Sequence, residues 1–295
     1  MKKLLITGAS GFLGRGCLDA LAARAWEVHA VVRSPLDVPG IHVQQADLLR
    51  PAEASAILAK IQPTHLLHLA WITAPATFRE SVENLRWVEA SQHLLRAFAE
   101  QGGRRVVMVG SCFEYDPQAG CCHETTTPLR PATLYGVCKN ALRASMESYA
   151  ETMGLSAAWA RLFYLYGPRE APQRLVASVT RKLLAGTPVS CPGGTQQRDY
   201  LHVEDASGAL IALLESDLCG AVNIGSGEAT EVRAIMERIA HFAGRPELVH
   251  VDDTPSEVPL VVADVHRLRE ELGWRPRLGL NEGLAQTIDW WRSRR

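Results

Sequence analysis

Tyr135 and Lys139 stand four residues apart in the segment Tyr-Gly-Val-Cys-Lys. On a helix, residues i and i+4 share a face, so the phenol and the ammonium would point the same way. A nearby ammonium stabilises phenolate and draws a phenol pKa from about 10 toward neutrality. That suits a proton donor or acceptor for a carbonyl/alcohol pair. The pair is common by chance and gains weight only beside other sites. Residues 109–116, Val-Gly-Ser-Cys-Phe-Glu-Tyr-Asp, bring a hydroxyl, a thiol, two carboxylates and a phenol together. Residues 7–14, Thr-Gly-Ala-Ser-Gly-Phe-Leu-Gly, space glycines as Gly-x-x-Gly-x-x-Gly.

These groups need elements to hold them. Residues 3–7 form a short apolar run ending at Gly8, and 12–24 follow with Leu13, Cys17, Leu18 and Leu21 on one helical face. Further apolar or β-branched runs stand at 27–33, 41–43, 65–70, 105–110 and 156–162, with helical stretches at 82–101 and 133–152. Continuous apolar strands alternating with helices predict parallel βαβ units. The expected fold is α/β, a Rossmann-type doubly wound parallel sheet. After about residue 165, Gly and Pro become denser and helices shorter, which predicts a smaller C-terminal substrate-binding lobe. The division expected is 1–165 for the dinucleotide-binding domain, with some later segments returning to it, and 166–295 mainly for the lobe. Residues 264–276 read as a helix that starts near Asp264 and stops before Gly273 and Pro276.

In a strand–helix context the glycine loop, Gly8, Gly11, Phe12, Leu13 and Gly14, suits a dinucleotide pyrophosphate. Glycines permit close backbone approach, and the helix N–H groups face the anion. Which dinucleotide follows from the end of the second strand, Val-Val-Arg-Ser-Pro. Arg33 stands 19 residues after Gly14, where a carboxylate would bind the 2′-OH of NAD, and Ser34 follows. A guanidinium there suits a 2′-phosphate, so NADP(H) is favoured over NAD(H).

The bulk numbers exclude several classes. The chain has 295 residues, 47% of them hydrophobic and 21% charged, which is globular. A net charge of −1 provides no field for nucleic acid or an anionic membrane. No apolar run reaches the roughly 20 residues of a membrane span. Met-Lys-Lys-Leu-Leu-Ile-Thr-Gly opens like a leader, but its apolar core is short and reads as a first buried strand. Seven cysteines without a Cys-x-x-Cys pair fit a reduced cytoplasm.

Taken jointly, these motifs resemble the extended short-chain dehydrogenase/reductase family, the NAD(P)-dependent sugar epimerases and dehydratases. The resemblance covers nearly the whole chain. It includes Asp47-Leu48, His68-Leu69-Ala70, Asn84, Ser111, Tyr135/Lys139, residues 161–168, 198–206, 223–227 and 272–276. It implies that Asp47 and Leu48 lie against adenine, that Leu69 and Ala70 line the cofactor trough, and that Asn84 supports it. Lys139 would also hold the nicotinamide ribose. Ser111 would orient the substrate oxygen for Tyr135. Dehydratases of the family place Asp-Glu directly after the hydroxyl residue, where this chain has Cys112 and Phe113, so dehydration is not expected. Cys112 reads as a small buried core residue. Glu114 and Asp116 read as a solvated strand exit, and His123 with Cys121 and Cys122 does not read as a metal site.

On the substrate side, Arg198 matches one of two arginines that hold a diphosphate. The second position is Thr254, and Tyr164 stands where an Asn is usual. Arg174, Lys182 or Arg245 could supply the missing charge. The expectation is an NADP-dependent reductase of a nucleotide-linked keto-deoxysugar. The alternative is an NAD-dependent nucleotide-sugar 4-epimerase, and a third reading is a non-catalytic NADP-sensing protein. The resemblance also implies a homodimer paired through helices 84–101 and 135–152.

Overall fold

The computed structural model describes residues 2–191, 194–251 and 257–294. The first part of the chain runs β1 (Lys3–Thr7), α1 (Phe12–Leu21), β2 (Glu27–Val32), β3 (His42–Gln45), α2 (Pro51–Ile61), β4 (His65–His68), α3 (Glu83–Glu100), β5 (Arg105–Ser111), β6 (Gly120–Cys122), α4 (Leu134–Met153) and β7 (Ser156–Leu162). The rest comprises β8 (Tyr164–Tyr166), α5 (Leu175–Leu184), β9 (Val189–Cys191), β10 (Gln197–His202), α6 (Val203–Glu215), β11 (Gly220–Ile224), β12 (Ala229–Glu231), α7 (Val232–Ala243), β13 (Val249–Val251), β14 (Leu260–Ala263) and α8 (Leu280–Arg292).

Seven strands form one parallel sheet in the order β11-β7-β5-β4-β1-β2-β3. Its inner strands are buried on both faces, which is why they read as unbroken apolar runs, whereas the edge strand β3 is not. Every residue of β5 is buried. One face packs against α1 and α6 through Leu18, Leu21, Leu210 and Leu214. The other packs against α3 and α4 through Leu94, Phe98, Leu142 and Met146. The chain leaves β1 for β2 on one side and later returns through β4 on the other. Thr7 and His68 are therefore neighbours in register at a topological switch point, the place where such sheets open a crevice for ligands.

A second core of Val176, Leu183, Ile235, Met236, Leu284 and Ile288 joins α5, α7 and α8. Its sheet runs β12-β10-β14-β6, with β8 paired to β10. The exchange between the two cores goes both ways. α6 and β11 return to the large sheet, whereas β6 leaves the first part to complete the small one.

The helix expected over 264–276 is a single wide, π-type turn at Arg267–Glu271. The reason lies in its side chains. Asp264 accepts from the His266 N–H, and Arg267 donates to the Ala221 and Cys219 carbonyls, tying the segment to β11.

Candidate active site

Two glycines close the switch point. Gly8 adopts φ +66, and a Cβ there would lie 2.8 Å from the Ala70 nitrogen. A Cβ on Gly14 would lie 2.2 Å from the Gly8 oxygen. Any side chain would push β1, β4 and the start of α1 apart, so the backbone here is free to approach a ligand. Thr7 holds the neighbouring strand in place. Its Oγ1 accepts from the Leu69 and Ala70 N–H groups at 3.1 and 3.2 Å and is 2.8 Å from His68 Nδ1. The other His68 nitrogen is 2.8 Å from Ser91 Oγ. Burial lowers the His68 pKa to about 3, so the ring is neutral and serves as a strut.

From this point a cavity of about 1140 Å³ extends in both directions. Gly8, Gly11, Phe12, Leu13, Gly14, Arg33, Leu48, Leu69 and Ala70 all line it. A long trough over a side-chain-free turn fits a dinucleotide. Three expected contacts are corrected. Ser34 is exposed and does not line the cavity. Asp47 turns away from it, and its carboxylate accepts from the Leu49 N–H at 3.1 Å at the entry to α2. Asn84 is fully buried in a loop-bracing role. Its amide donates to the Phe78 and Ser81 carbonyls, and its oxygen accepts from Trp71 Nε1 at 2.8 Å. Asn84 thus acts on the cavity only through Trp71, which the motifs had not singled out although it directly follows Ala70.

Ser111, Tyr135 and Lys139 meet on the same cavity wall. Ser111 ends β5. Thr133 caps α4 by accepting from the Gly136 N–H at 3.1 Å, which places Tyr135 in the first turn and Lys139 one turn later. The Tyr135 N–H donates to the Arg79 carbonyl at 2.8 Å, tying the loop before α3 across the helix start. The phenol interacts with the Ser111 hydroxyl, and burial pushes its pKa up.

Here the electrostatics differ from the expectation. Lys139 Nζ donates to the Val109 carbonyl at 2.8 Å and lies 3.7 Å from the centre of a Trp71 ring, against 5.9 Å from the Tyr135 ring. Burial lowers its pKa to about 7, opposed by the Glu114 carboxylate. The groups that do lower the phenol are Ser111 and Arg174, and burial outweighs both.

Glu114 is the largest correction in the 109–116 stretch. It is fully buried rather than solvated. Its carboxylate accepts from Arg161 Nε at 2.8 Å, Trp159 Nε1 at 2.9 Å and the Ser111 N–H at 2.8 Å. The last bond and the Phe113 N–H to Ser111 Oγ bond at 3.3 Å form a reciprocal cap on the 112–114 turn. Glu114 therefore fixes Ser111. A signal was present in the sequence: Ser111-x-x-Glu114 is the capping-box pattern. Cys112 is 8% exposed, and burial pushes its thiol pKa well above the usual range. Asp116 is half-buried at the cavity edge. His123 lies with Glu124 and Asp264, their ligand-type atoms within 4.8 Å of one another, apart from the cavity.

Tyr164 and Arg198 also line the cavity, together with Arg79, Glu170 and Arg174. Arg198 is 8% exposed and spends its Nη groups on the Gln197 and Val258 carbonyls and Gln196 Oε1. Thr254 lies outside the described residues.

A model of the NAD dependent epimerase/dehydratase family matches residues 4–225. This chain belongs to that family. The epimerase/dehydratase relatives include a UDP-glucose 4-epimerase of Mycolicibacterium smegmatis, 28% identical, covering 99% of this chain and 99% of that protein. A dTDP-glucose 4,6-dehydratase of Xanthomonas campestris pv. campestris is 27% identical over 99% of this chain and 93% of its own length. Among solved structures, MoeE5 in complex with UDP-glucuronic acid and NAD is 32% identical, with a TM-score of 0.86 over 99% of this chain and 100% of that one. This epimerase/dehydratase family member thus shares its fold with that structure over nearly the whole chain. Among the described residues, no helix is long and apolar enough to cross a membrane.

Proposed function

We propose that this chain is an NAD-dependent nucleotide-sugar 4-epimerase. The observation that carries the reading is the meeting of Ser111, Tyr135 and Lys139 on one wall of the dinucleotide trough, with Cys112 and Phe113 where a dehydratase would need its acid pair. The relatives also support an epimerase better than the reductase favoured by the sequence: the first is a UDP-glucose 4-epimerase, and MoeE5 holds NAD.

In this reading, the turn of Gly8, Gly11 and Gly14 would hold NAD, which would supply reversible hydride transfer at the sugar's carbon 4. Tyr135 takes the proton from the carbon-4 hydroxyl and gives it back. Ser111 holds the same oxygen in line with the phenol. Lys139 stands one helical turn below, within reach of the ribose, and its charge responds to whatever occupies the trough. The buried wall keeps water from the reacting carbon. The decisive experiment is turnover of UDP-glucose or UDP-glucuronate by protein as purified, without added cofactor. An epimerase interconverts the 4-epimers and releases NAD on denaturation. Strict dependence on added NADPH would replace this reading by the reductase.

One observation favours that second reading. Arg33 is exposed at the adenosine end, and among the described residues no carboxylate lines the cavity beside it. Calorimetry with NAD and NADP separates the two: tighter NADP binding supports the reductase. We also propose a cytoplasmic homodimer. Six described cysteines are free thiols. Val82 at the start of α3 and Leu85 and Val137 on α3 and α4 are 70%, 53% and 47% exposed, an apolar strip suited to helix pairing. Light scattering of Leu85→Lys against wild type tests the dimer.

A further inference from the structure

We propose that Arg174, with Arg79 beside it, forms a carboxylate-binding subsite next to Tyr135, so that the sugar of the nucleotide-linked substrate is a uronic acid. The proposal rests on the 4-epimerase reading above and names its substrate class.

The argument starts from two guanidinium groups that flank one aromatic ring. The Arg174 guanidinium carbon is 5.0 Å from the Phe78 ring centre, and that of Arg79 is 5.9 Å from it and 4.9 Å from Phe113. Phe78 and Phe113 in turn meet Tyr135 edge-on at 4.9 and 6.0 Å. Both charges therefore stand one ring away from the candidate acid/base. They repel each other, and Arg79 is among the groups that hold the Arg174 pKa down. Arg79 is exposed and Arg174 half-buried, so the Arg174 charge in particular is unfavourable until an anion joins it.

Among the described residues, nothing is placed to be that anion. Among the described residues neither arginine has an ion-pair partner, and Arg174 makes only a 3.4 Å bond to the Thr73 carbonyl. The nearby carboxyl, Glu170, is buried and accepts from the Ala177 N–H. Burial pushes its pKa up to about 8, which favours the protonated, neutral form. The cationic pair is left for a ligand, and a carboxylate matches the guanidinium fork.

Position decides between a carboxylate and a diphosphate. The diphosphate hangs from carbon 1, across the ring from carbon 4. The carboxylate of a uronic acid is attached to carbon 5, adjacent to the carbon on which Tyr135 would act. A charge that Tyr135 feels, as it feels Arg174, is therefore beside the carbon-5 substituent. Arg198, against Tyr164 at 5.8 Å, is apart from this pair and has its Nη groups on protein oxygens.

The test is calorimetric titration of NAD-loaded protein with UDP-glucuronate and UDP-glucose, in wild type, Arg174→Gln and Arg174→Lys. Wild type is expected to prefer the acid. Arg174→Gln should reduce the ratio of the two affinities about 10- to 100-fold, and Arg174→Lys should recover part of it. The subsite is overturned if the ratio is unmoved, whether both affinities fall together, as a diphosphate contact predicts, or neither does. It is also overturned if wild type prefers UDP-glucose or binds neither sugar. Turnover separates this from the parent reading. Arg174-dependent binding without formation of the galacto epimer removes the 4-epimerase and keeps the subsite. Epimerisation with a ratio indifferent to Arg174 does the reverse.

Discussion

The two walls of the cavity are built on different principles. On the sheet side every important polar group already has its partners. Thr7, His68 and Ser91 form a closed chain, Glu114 is locked to Arg161, and Lys139 bonds to a strand carbonyl. On the lobe side, Arg174 rests against the Phe78 ring with no ion-pair partner among the described residues, and Glu170 accepts from a single backbone N–H. The first wall is preorganised, as acid–base geometry requires. The second leaves donors to be satisfied by a substrate. The difference teaches where reaction and specificity should separate: changes on the sheet wall should cost rate or fold, and changes on the lobe wall should cost selectivity.

The largest effect is expected at Tyr135. Tyr135→Phe removes one oxygen from a buried ring and should lower kcat about 10²- to 10⁴-fold while substrate affinity stays within a few-fold. Steady-state kinetics reads both. Near-full activity would remove Tyr135 from the chemistry and with it the preorganised wall.

Next come the two buried glutamates. Glu114→Ala strands the Arg161 charge in the core, where it is 1% exposed, and should cost about 3–5 kcal/mol in urea unfolding. Glu170→Ala loses one N–H acceptor and should cost about 1–2 kcal/mol. Equal losses would erase the contrast between the walls. Glu170 also carries a pH signature. Its pKa is about 8 in the folded chain against 4.5 for the ordinary group. Between those values the folded chain keeps a proton that the unfolded chain has released. The group's contribution to stability is thus complete below 4.5 and is lost as pH rises through about 8. Stability of wild type relative to Glu170→Gln should fall across that window, and a flat difference would show that the carboxyl is ionised in the fold.

The sheet wall was also the more legible in the sequence. Gly8 and Gly14 announce themselves because no other residue fits their close approaches. Buried parallel strands announce themselves as apolar runs, and the Tyr135/Lys139 spacing needs only helical periodicity. What stayed hidden depends on contacts between distant segments. Glu114 looked solvated because its partners, Trp159 and Arg161, lie on β7, beyond β6 and α4. Asn84 looked like a cofactor contact because a motif does not reveal that its amide turns toward Phe78 and Trp71. The 264–276 segment had helix punctuation at both ends, but the Arg267 bonds to Cys219 and Ala221 pull it onto β11. On the lobe wall, Arg174 was one of several spare cations in the sequence, and only the fold placed it beside Phe78 and Tyr135.

The smallest expected effect tests the boundary between the walls. Cys112 follows Ser111 and lines the cavity, yet it is also part of the core beneath it. Burial raises its thiol pKa, so thiolate is scarce at neutral pH and the side chain behaves as a small apolar group. Cys112→Ala should then leave kcat within about twofold and cost about 1 kcal/mol through a small cavity, well below the effect of Glu114→Ala two residues away. Abolished turnover in a variant that melts like wild type would make the thiol part of the chemistry. The acid–base wall would then include a nucleophile that its burial argues against.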